Sequence, residues 1–409
     1  MKVCIVGGGA AGMMAAALIA RKGHEVVLFE KNEKLGKKLY ITGKGRCNVT
    51  NASYGQDFEK NIVCGRKFMM SALSKFDSSD TMKFFEDAKI PLKIERGNRV
   101  FPVSDKSSDI IKGLEKSMKE AGVKVCLNSK VENIIVHENH AIGIESNGEK
   151  IYFDSVIVAT GGLSYAPTGS DGDGYKFAKK VGHNIVEPVP GLCAVRLSSN
   201  ELSVVEGLSL KNVRLIAKLN KKIHFESEIG EMLFTQNGIS GPLVLTLSSY
   251  INRCDFNELE VFIDFKPAIS FDELCQRIDK DISELKAKQF SSLLEGFLPK
   301  SLVLIFAKRL NIDTTFKVNQ LNKKMRQDLA FMLKNFELKL SGLEGFYQAV
   351  ITSGGVELKE INPKNMQSKL IENLYFIGEV LDIDALTGGF NLQLAFSTAA
   401  ACASDFDKI

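Results

Sequence analysis

The chain has 409 residues, 44% of them hydrophobic and 25% charged, which is the composition of a folded protein and the length of two or three domains. A formal net charge of +4 excludes bulk charge as the source of any affinity for nucleic acid, and eight cysteines without a CxxC pair exclude a disulfide-linked scaffold. No apolar run reaches the ~20 residues that span a bilayer, so we expect a cytoplasmic protein. The five histidines show no ligand spacing with the cysteines, and we expect no metal site.

The first 30 residues predict a β-α-β unit. An apolar strand over residues 2–6 precedes an alanine-rich helix over residues 10–21, and Gly23 separates that helix from a second strand over residues 25–30. Two strands joined by a helix in this way are typical of the opening of a Rossmann-like α/β domain.

The periodicity of apolar residues then changes several times along the chain. Helical spacing over residues 107–122 is followed by alternating strands through residue 159, and strand alternation resumes beyond residue 190. Residues 271–336 return to helical spacing, and the chain ends in an apolar helix over residues 391–404 that we expect to return to the first domain. These changes predict a first domain of residues 1–190 and 345–409, a β-rich insertion of residues 191–268 and 337–344, and a helical domain of residues 269–336.

A glycine-rich turn after the first strand is the strongest local motif. Gly7, Gly9 and Gly12 form GxGxxG between a buried strand and a helix, and Glu30 follows 18 residues after the last of them. The glycines permit a tight turn and the approach of a pyrophosphate, while the helix N-terminus supplies N–H donors. Glu30 suits the adenosine ribose and disfavours a 2′-phosphate, so we predict bound FAD or NAD rather than NADP.

Three further segments favour FAD over NAD. The polar run of residues 35–51 offers cations and backbone amides for a diphosphate and polar side chains for a flavin ring, with a solvated basic loop as the alternative. A buried strand ends in ATGG at residues 159–162. The GE and TGGFN runs at residues 378–379 and 387–391 precede the last helix, whose N-terminus favours negative charge on a reduced flavin. A single dinucleotide fingerprint and no CxxC pair exclude the disulfide-reductase class.

Motifs along the whole chain resemble those of the BaiN/YhiN-like family of NAD(P)/FAD-dependent oxidoreductases. They are GGGAAG from Gly7, GKGRCNVTN from Gly43, RVFP from Arg99, ATGG with TGS and GDGY through Tyr175, GE with LFT and ISGP through Pro242, T-GGV from Thr352, and the C-terminal GE and GGFN. The resemblance implies an α/β protein with a two-segment Rossmann-like FAD-binding domain, an inserted β-barrel-like domain and a nested small helical domain. Asp171 and Gln236 depart from the family pattern. Gln236 stands where a histidine is common, and we leave it out of the catalytic set because an amide does not titrate.

The expected site combines these motifs with the resemblance. We expect Cys47 and Asn48 to be catalytic, with Cys47 as the proton donor beside the flavin; simple packing is the alternative for Cys47. The residues expected to bind FAD are Gly7, Gly9, Ala10, Ala11, Gly12, Glu30, Lys31, Lys38, Thr42, Gly43, Gly45, Arg46, Cys47, Asn48, Val131, Ala159, Thr160, Gly161, Gly378, Glu379, Gly389, Asn391 and Leu392.

The resemblance implies a reaction type more firmly than a substrate. Members of the family are associated with reduction of uridine in ribosomal RNA, with reduction of steroid or bile-acid precursors and with amine oxidation. We expect reduction of an activated C=C bond by hydride from reduced flavin, with uridine in ribosomal RNA as the leading substrate and NAD(P)H as the external electron donor. The alternatives are an oxidase of a small amine, a reductase of a steroid-like small molecule, and an RNA-binding protein in which FAD is structural.

Two groups of basic residues encourage the RNA interpretation, although such runs are more often solvated faces. They are Lys31, Lys34, Lys37, Lys38, Lys44 and Arg46 in the first group and Lys317, Lys323, Lys324 and Arg326 in the second.

Overall fold

The computed structural model describes residues 1–407, which divide into two compact units. The first unit comprises residues 1–191 and 346–407, and the second comprises residues 192–345. The last helix thus belongs to the same unit as the N-terminal segment. The further division of the second unit into a β-rich and a helical domain stays a prediction.

A five-stranded parallel sheet organises the first unit. Its strands, in order from one edge to the other, are Leu374–Phe376, Ser155–Val158, Lys2–Val6, Glu25–Phe29 and Lys124–Cys126. All four neighbouring pairs are parallel, and the predicted β-α-β unit is confirmed. The second strand ends at Phe29, one residue earlier than expected, which places Glu30 just beyond the carboxyl edge of the sheet.

Helices cover the parallel sheet, as its continuous apolar strands require. The N-terminal helix, Ala10–Arg21, is rich in alanine, and its small side chains allow close packing against the C-terminal helix, Phe390–Ala403. The other α-helices of this unit are Lys37–Ile41, Gln56–Glu59, Arg66–Lys75, Ser78–Asp87, Ser107–Glu120 and Asp173–Lys180. Short 3-10 helices cover Thr42–Gly45, Ala166–Thr168, Leu358–Glu360, Gly378–Val380 and Ser404–Phe406.

Two three-stranded antiparallel sheets and two antiparallel pairs complete the described part of the first unit. Val131–His137, His140–Ser146 and Glu149–Tyr152 form a meander, whose first hairpin turns at Glu138 and Asn139. The remaining strands are Thr50–Asn51 with Arg99–Pro102 and Leu92–Glu95, Ile62–Cys64 with Asp384–Ala385, and Ile185–Gly191 with Ile351–Val356.

The second unit contains an eight-stranded sheet and five α-helices. The strands are Val195–Leu197, Ser209–Leu219, Lys222–Glu226, Gly230–Thr235, Gly238–Ser240, Leu259–Asp264, Phe336–Leu338 and Leu340–Leu343. The helices are Pro242–Ile251, Phe271–Leu285, Phe290–Glu295, Lys300–Leu310 and Lys323–Lys334, with 3-10 turns at Asn200–Val205 and Val318–Gln320. Strand and helix side chains share one core, in which the rings of Phe306 and Phe336 stack at 4.9 Å. Across residues 1–407, no helix combines the length and the apolarity needed to cross a membrane.

Candidate nucleotide-binding and active site

The chain segments after four parallel strands meet along one edge of the sheet. The backbone N–H of Gly7 donates to Phe29 O at 2.9 Å, that of Ala159 donates to Val6 O at 2.8 Å, and that of Ile377 donates to Val158 O at 3.0 Å. The predicted motifs at residues 7–12, 30, 159–161 and 378–379 therefore lie together, although 372 residues separate the first from the last. Carboxyl edges of parallel sheets are where such folds bind nucleotides.

The first and third glycines of the GxGxxG turn have no room for a side chain. A Cβ on Gly7 would lie 2.6 Å from Ala159 O, and a Cβ on Gly12 would lie 1.9 Å from Gly7 O. At Gly9, by contrast, a Cβ would meet nothing within 4 Å, and this residue caps the N-terminal helix without a side-chain hydrogen bond. Open space in front of free helical N–H groups is the geometry that a pyrophosphate requires.

Glu30 is fixed in place by its neighbours on both sides. Its Oε2 accepts the N–H of Gly8 at 2.8 Å, and its Oε1 accepts the backbone and side-chain N–H groups of Asn32 at 2.8 and 2.6 Å. A carboxylate has about four acceptor positions, so at least one remains for a ribose hydroxyl.

The next residue, Lys31, forms ion pairs with two aspartates. Its Nζ lies 2.6 Å from Asp171 and 3.0 Å from Asp173. Burial raises the pKa of Asp173, but hydrogen bonds from Lys176 and Lys31 outweigh this and lower the pKa to about 2. Both cations therefore neutralise this carboxylate, and the expected role of Lys31 on FAD stays a prediction.

The loop of residues 42–51 (the 42–51 loop below) has an unusual backbone. Gly43, Lys44, Gly45 and Cys47 all have positive φ, at 56°, 56°, 86° and 57°. Two of these four are not glycine, and non-glycine residues occupy this region at a cost that recurs at functional sites. Both expected catalytic residues, Cys47 and Asn48, lie in this loop.

Cys47 is fully buried, and the surroundings keep its thiol neutral. Burial raises the pKa of Cys47 to about 12, and a hydrogen bond with Thr42 opposes this only in part. A nucleophilic cysteine needs a lowered pKa, so these surroundings disfavour that role. As a proton donor the thiol is a weak acid, because a general acid works best with a pKa near the working pH.

Two cations of the 35–46 segment, Arg46 and Lys37, are already engaged by acids. Arg46 pairs with Glu95 and donates from Nε to Asp105 at 2.9 Å, and its guanidinium lies 4.2 Å from the Phe101 ring centroid. Hydrogen bonds with Glu95 and then Asp105 raise the pKa of Arg46. Lys37 pairs with Glu33. No local feature of the sequence indicates these long-range partners, and the expected role of these cations on a diphosphate stays a prediction.

Lys38 and Glu379, both expected to bind FAD, bind each other. Lys38 Nζ lies 2.6 Å from Glu379 Oε2 and 2.9 Å from Ser164 Oγ. Glu379 Oε1 accepts the N–H of Thr352 at 2.8 Å and the hydroxyl of Ser164 at 3.1 Å. The predictions did not include Ser164 in the site, and Thr352 entered only as part of a family motif.

The C-terminal helix is joined to the 42–51 loop by a buried amide. Gln393 Oε1 accepts the hydroxyls of Thr50 and Thr81 at 2.6 and 2.7 Å, and its Nε2 donates to Phe76 O at 3.2 Å and to Ser397 at 3.0 Å. The predictions did not name Gln393, although an amide between two leucines in the apolar run LQLAF was a signal for a buried polar residue.

Three more residues of the predicted FAD set lie at this helix, and a fourth, Val131, lies in the meander. Asn391 accepts the N–H of Ala385 at 2.9 Å and donates to Ala385 O at 2.7 Å. Gly389 caps the helix without a side-chain hydrogen bond, Leu392 is half-buried on it, and Val131 is buried at the start of the meander.

The residues present fit FAD. Asn48 Oδ1, Thr160 Oγ1 and the hydroxyl of Tyr175 are buried oxygen atoms that find no hydrogen-bond partner within residues 1–407. Buried polar atoms are nearly always paired, so such exceptions mark places where a ligand or an ordered water binds. Two of the three, Asn48 and Thr160, belong to the predicted FAD set, and the open space at Gly9 completes the cradle.

Comparison with known families identifies the chain. The family described as HI0933-like protein Rossmann domain matches residues 1–405. The chain belongs to this family. The predicted resemblance is thereby confirmed: the HI0933-like family is a family of flavoprotein oxidoreductases, and this member is an enzyme with FAD as its cofactor.

Three HI0933-like relatives match over almost their whole length. The 3-dehydro-bile acid delta(4,6)-reductase of Clostridium scindens is 29% identical over 407 residues, covering 97% of both chains. The ribosomal RNA dihydrouridine synthase of Haemophilus influenzae is 30% identical, covering 99% of this chain and 98% of the relative. The enzyme of that name from Escherichia coli is also 30% identical, covering 98% and 96%.

Solved structures share the fold at low identity. The 3-ketosteroid delta1-dehydrogenase of Sterolibacterium denitrificans matches with a TM-score of 0.53 at 14% identity, covering 99% of each chain. The 3-ketosteroid-delta4-(5alpha)-dehydrogenase of Rhodococcus jostii matches with a TM-score of 0.51 at 14% identity, covering 100% of this chain and 97% of the other. These likenesses confirm the predicted fold class.

Proposed function

We propose that this HI0933-like protein reduces an activated C=C bond and that its substrate is uridine in ribosomal RNA, which becomes dihydrouridine. The observation that carries the proposal is the pair of ribosomal RNA dihydrouridine synthases at 30% identity over nearly the full chain. The bile-acid reductase at 29% supports the same reaction type, because a C=C bond is reduced in each case.

FAD, when bound, supplies the hydride transfer that such a reduction requires. The chain itself has to bind the nucleotide, exclude water and hold a proton. Glu30 and the Gly7–Gly12 turn would hold the adenosine and pyrophosphate. Thr160 and the Lys38–Glu379 pair would contact other parts of the cofactor along the same sheet edge. We propose NAD(P)H as the external electron donor, bound transiently because the sequence contains no second dinucleotide fingerprint.

Cys47 is our proposed proton donor. Its Sγ carries a proton throughout the neutral range, since burial raises the pKa to about 12. Asn48 brings a carbonyl oxygen, Oδ1, that needs a donor, which suits the N–H of a pyrimidine or flavin ring.

Four of the six basic residues in the 31–46 segment give this proposal little support. Lys31, Lys37, Lys38 and Arg46 are all within ion-pair distance of carboxylates, which reduces their availability to RNA phosphates.

The test is mass spectrometry of nucleosides from ribosomal RNA of cells with and without the gene. We expect dihydrouridine to disappear in the deletion, to return with the wild-type gene, and to remain absent or very low with Cys47→Ala, since a general acid contributes about 10²–10⁴-fold to rate. Flavin absorbance of the purified Cys47→Ala protein is the control for cofactor loading. An unchanged dihydrouridine level in the deletion contradicts the RNA assignment.

A second candidate substrate is a steroid-like enone, because the bile-acid reductase is almost as similar as the RNA enzymes. Anaerobic oxidation of the reduced protein by a 3-oxo-Δ4 steroid, followed at the flavin absorbance band, tests it. Peroxide formation with small amines in air tests the oxidase alternative in the same preparation.

A further inference from the structure

Two cations of the second unit share one aromatic ring. Lys266 Nζ lies 6.0 Å from the centroid of the Phe297 ring, and Arg277 Cζ lies 5.1 Å from the same centroid. The ring itself is buried, with 4% of its surface exposed, so it is a fixed platform rather than a mobile side chain. Lys266 follows the strand Leu259–Asp264, and Arg277 lies on the helix Phe271–Leu285.

Lys266 has no acidic partner for its ammonium group. Within residues 1–407, no carboxylate oxygen lies within 4.0 Å of its Nζ. The acid closest to it in sequence, Asp264, accepts the backbone N–H of Lys266 at 2.8 Å but directs its other oxygen to Lys334 at 2.8 Å. Arg277 has one acid, Asp281, at 3.9 Å. The pair therefore carries more positive charge than its surroundings neutralise.

This arrangement costs free energy unless an anion relieves it. Burial, and then the neighbouring Arg277, lower the pKa of Lys266, which means that the protein destabilises the ammonium form. The aromatic ring compensates only in part, because a cation–π contact is weaker than an ion pair in the same place. A guanidinium and an ammonium at the same ring offer a phosphate group two kinds of donor: the guanidinium can bind two oxygens at once, and the ammonium acts as a compact positive charge.

We propose that Lys266 and Arg277, supported by Phe297, form a phosphate-binding site that holds a backbone phosphate of the RNA substrate. The RNA assignment rests on the proposed function, whereas the phosphate site itself does not. This site differs from the basic runs identified in the sequence, since neither Lys266 nor Arg277 belongs to them.

The first measurement examines the site with inorganic phosphate alone. Lysine side chains of the FAD-loaded protein are labelled for NMR, and the Lys266 signal is assigned through Lys266→Arg. We expect phosphate to raise the pH at which Lys266 titrates, in a saturable way, and we expect Arg277→Gln to weaken this effect. A Lys266 titration that phosphate leaves unchanged overturns the site.

The second measurement examines RNA as the source of the phosphate. Binding of a ribosomal RNA fragment is measured against salt for the wild type and for the Lys266→Met/Arg277→Gln double variant. We expect affinity to fall about tenfold and the salt slope to decrease by about 0.7, the value for one lost phosphate on a single strand. Lys280→Met is the matched control, because Lys280 lies on the same helix with 74% of its side chain exposed. Its slope should remain that of the wild type.

The two measurements separate the possible failures. A phosphate effect on Lys266 with an unchanged RNA slope overturns the RNA assignment and points to a free phosphate-bearing ligand. Ribosomal RNA that keeps its dihydrouridine in the gene deletion overturns the proposed function, and the titration with inorganic phosphate then still decides the site.

Discussion

Two glycine-rich turns of the first unit are held in place by different forces. In the turn at residues 7–12, added Cβ atoms would strike backbone oxygens at 2.6 and 1.9 Å. In the 42–51 loop, a Cβ on Gly45 would meet nothing within 4 Å. That loop, despite its left-handed residues, is held instead by contacts with distant segments, above all the buried hydrogen bond between Thr50 and Gln393. Backbone packing fixes the first turn, and long-range polar contacts fix the second.

The alkylation rate of Cys47 tests whether the 42–51 loop stays as inaccessible to solvent as the tightly packed first turn. At pH 8 a thiol with a pKa near 12 is about 10⁻⁴ ionised, so we expect Cys47 to alkylate at least about a thousandfold more slowly than an ordinary exposed cysteine. The measurement is the rate of iodoacetamide modification of Cys47, read by peptide mass spectrometry, as a function of pH. Rapid modification at pH 8 would show that the loop opens, and the long-range contacts would then not fix it in place.

Alanine substitutions compare the two turns directly. Gly12→Ala forces a methyl group against Gly7 O, and we expect a loss of about 3 kcal/mol in the free energy of unfolding together with loss of bound FAD. Gly45→Ala meets no neighbour but keeps φ near 86°, so we expect a loss of only about 1 kcal/mol with FAD retained. Denaturant unfolding and flavin content measure both. Equal losses would mean that conformation, not backbone packing, governs the first turn.

Removal of the Gln393 amide measures how much this side chain contributes to holding the 42–51 loop. Gln393→Met leaves the hydroxyls of Thr50 and Thr81 without their buried acceptor, so we expect a loss of about 2 kcal/mol in the free energy of unfolding. We also expect faster alkylation of Cys47 because Thr50 belongs to the same loop. A double-mutant cycle with Thr81→Val isolates the pairwise contribution. Unchanged Cys47 reactivity would show that Gln393 stabilises the helix without positioning the loop.

Arg46→Gln should have the smallest effect of the four. Its partners are carboxylates on a partly exposed surface, and such pairs contribute little. We expect FAD affinity, followed by quenching of flavin fluorescence, to stay within about threefold of the wild type. A loss of affinity well beyond this range would instead support the role on the diphosphate that the sequence predicts for Arg46.

The sequence predicts the parts of this molecule that depend on local geometry. The strand before Gly7, the helix after it and the need for glycine at residues 7 and 12 all follow from short-range sterics, and the structure has each of them. The partners of Arg46 lie 49 and 59 residues away, and Thr50 meets Gln393 across 343 residues. Nothing local distinguishes an arginine that binds phosphate from one that binds acids, because the fold decides which charges meet.

The order of the two units along the chain has a consequence for synthesis on the ribosome. Residues 192–345 are continuous, so the second unit is complete before the last 60 or so residues emerge, and domains generally fold as units during translation. The first unit waits for strand Leu374–Phe376 and for the helix Phe390–Ala403 that packs on Ala10–Arg21. The sheet edge that carries Gly7, Glu30 and Gly378 is therefore assembled only after the second unit has been synthesised.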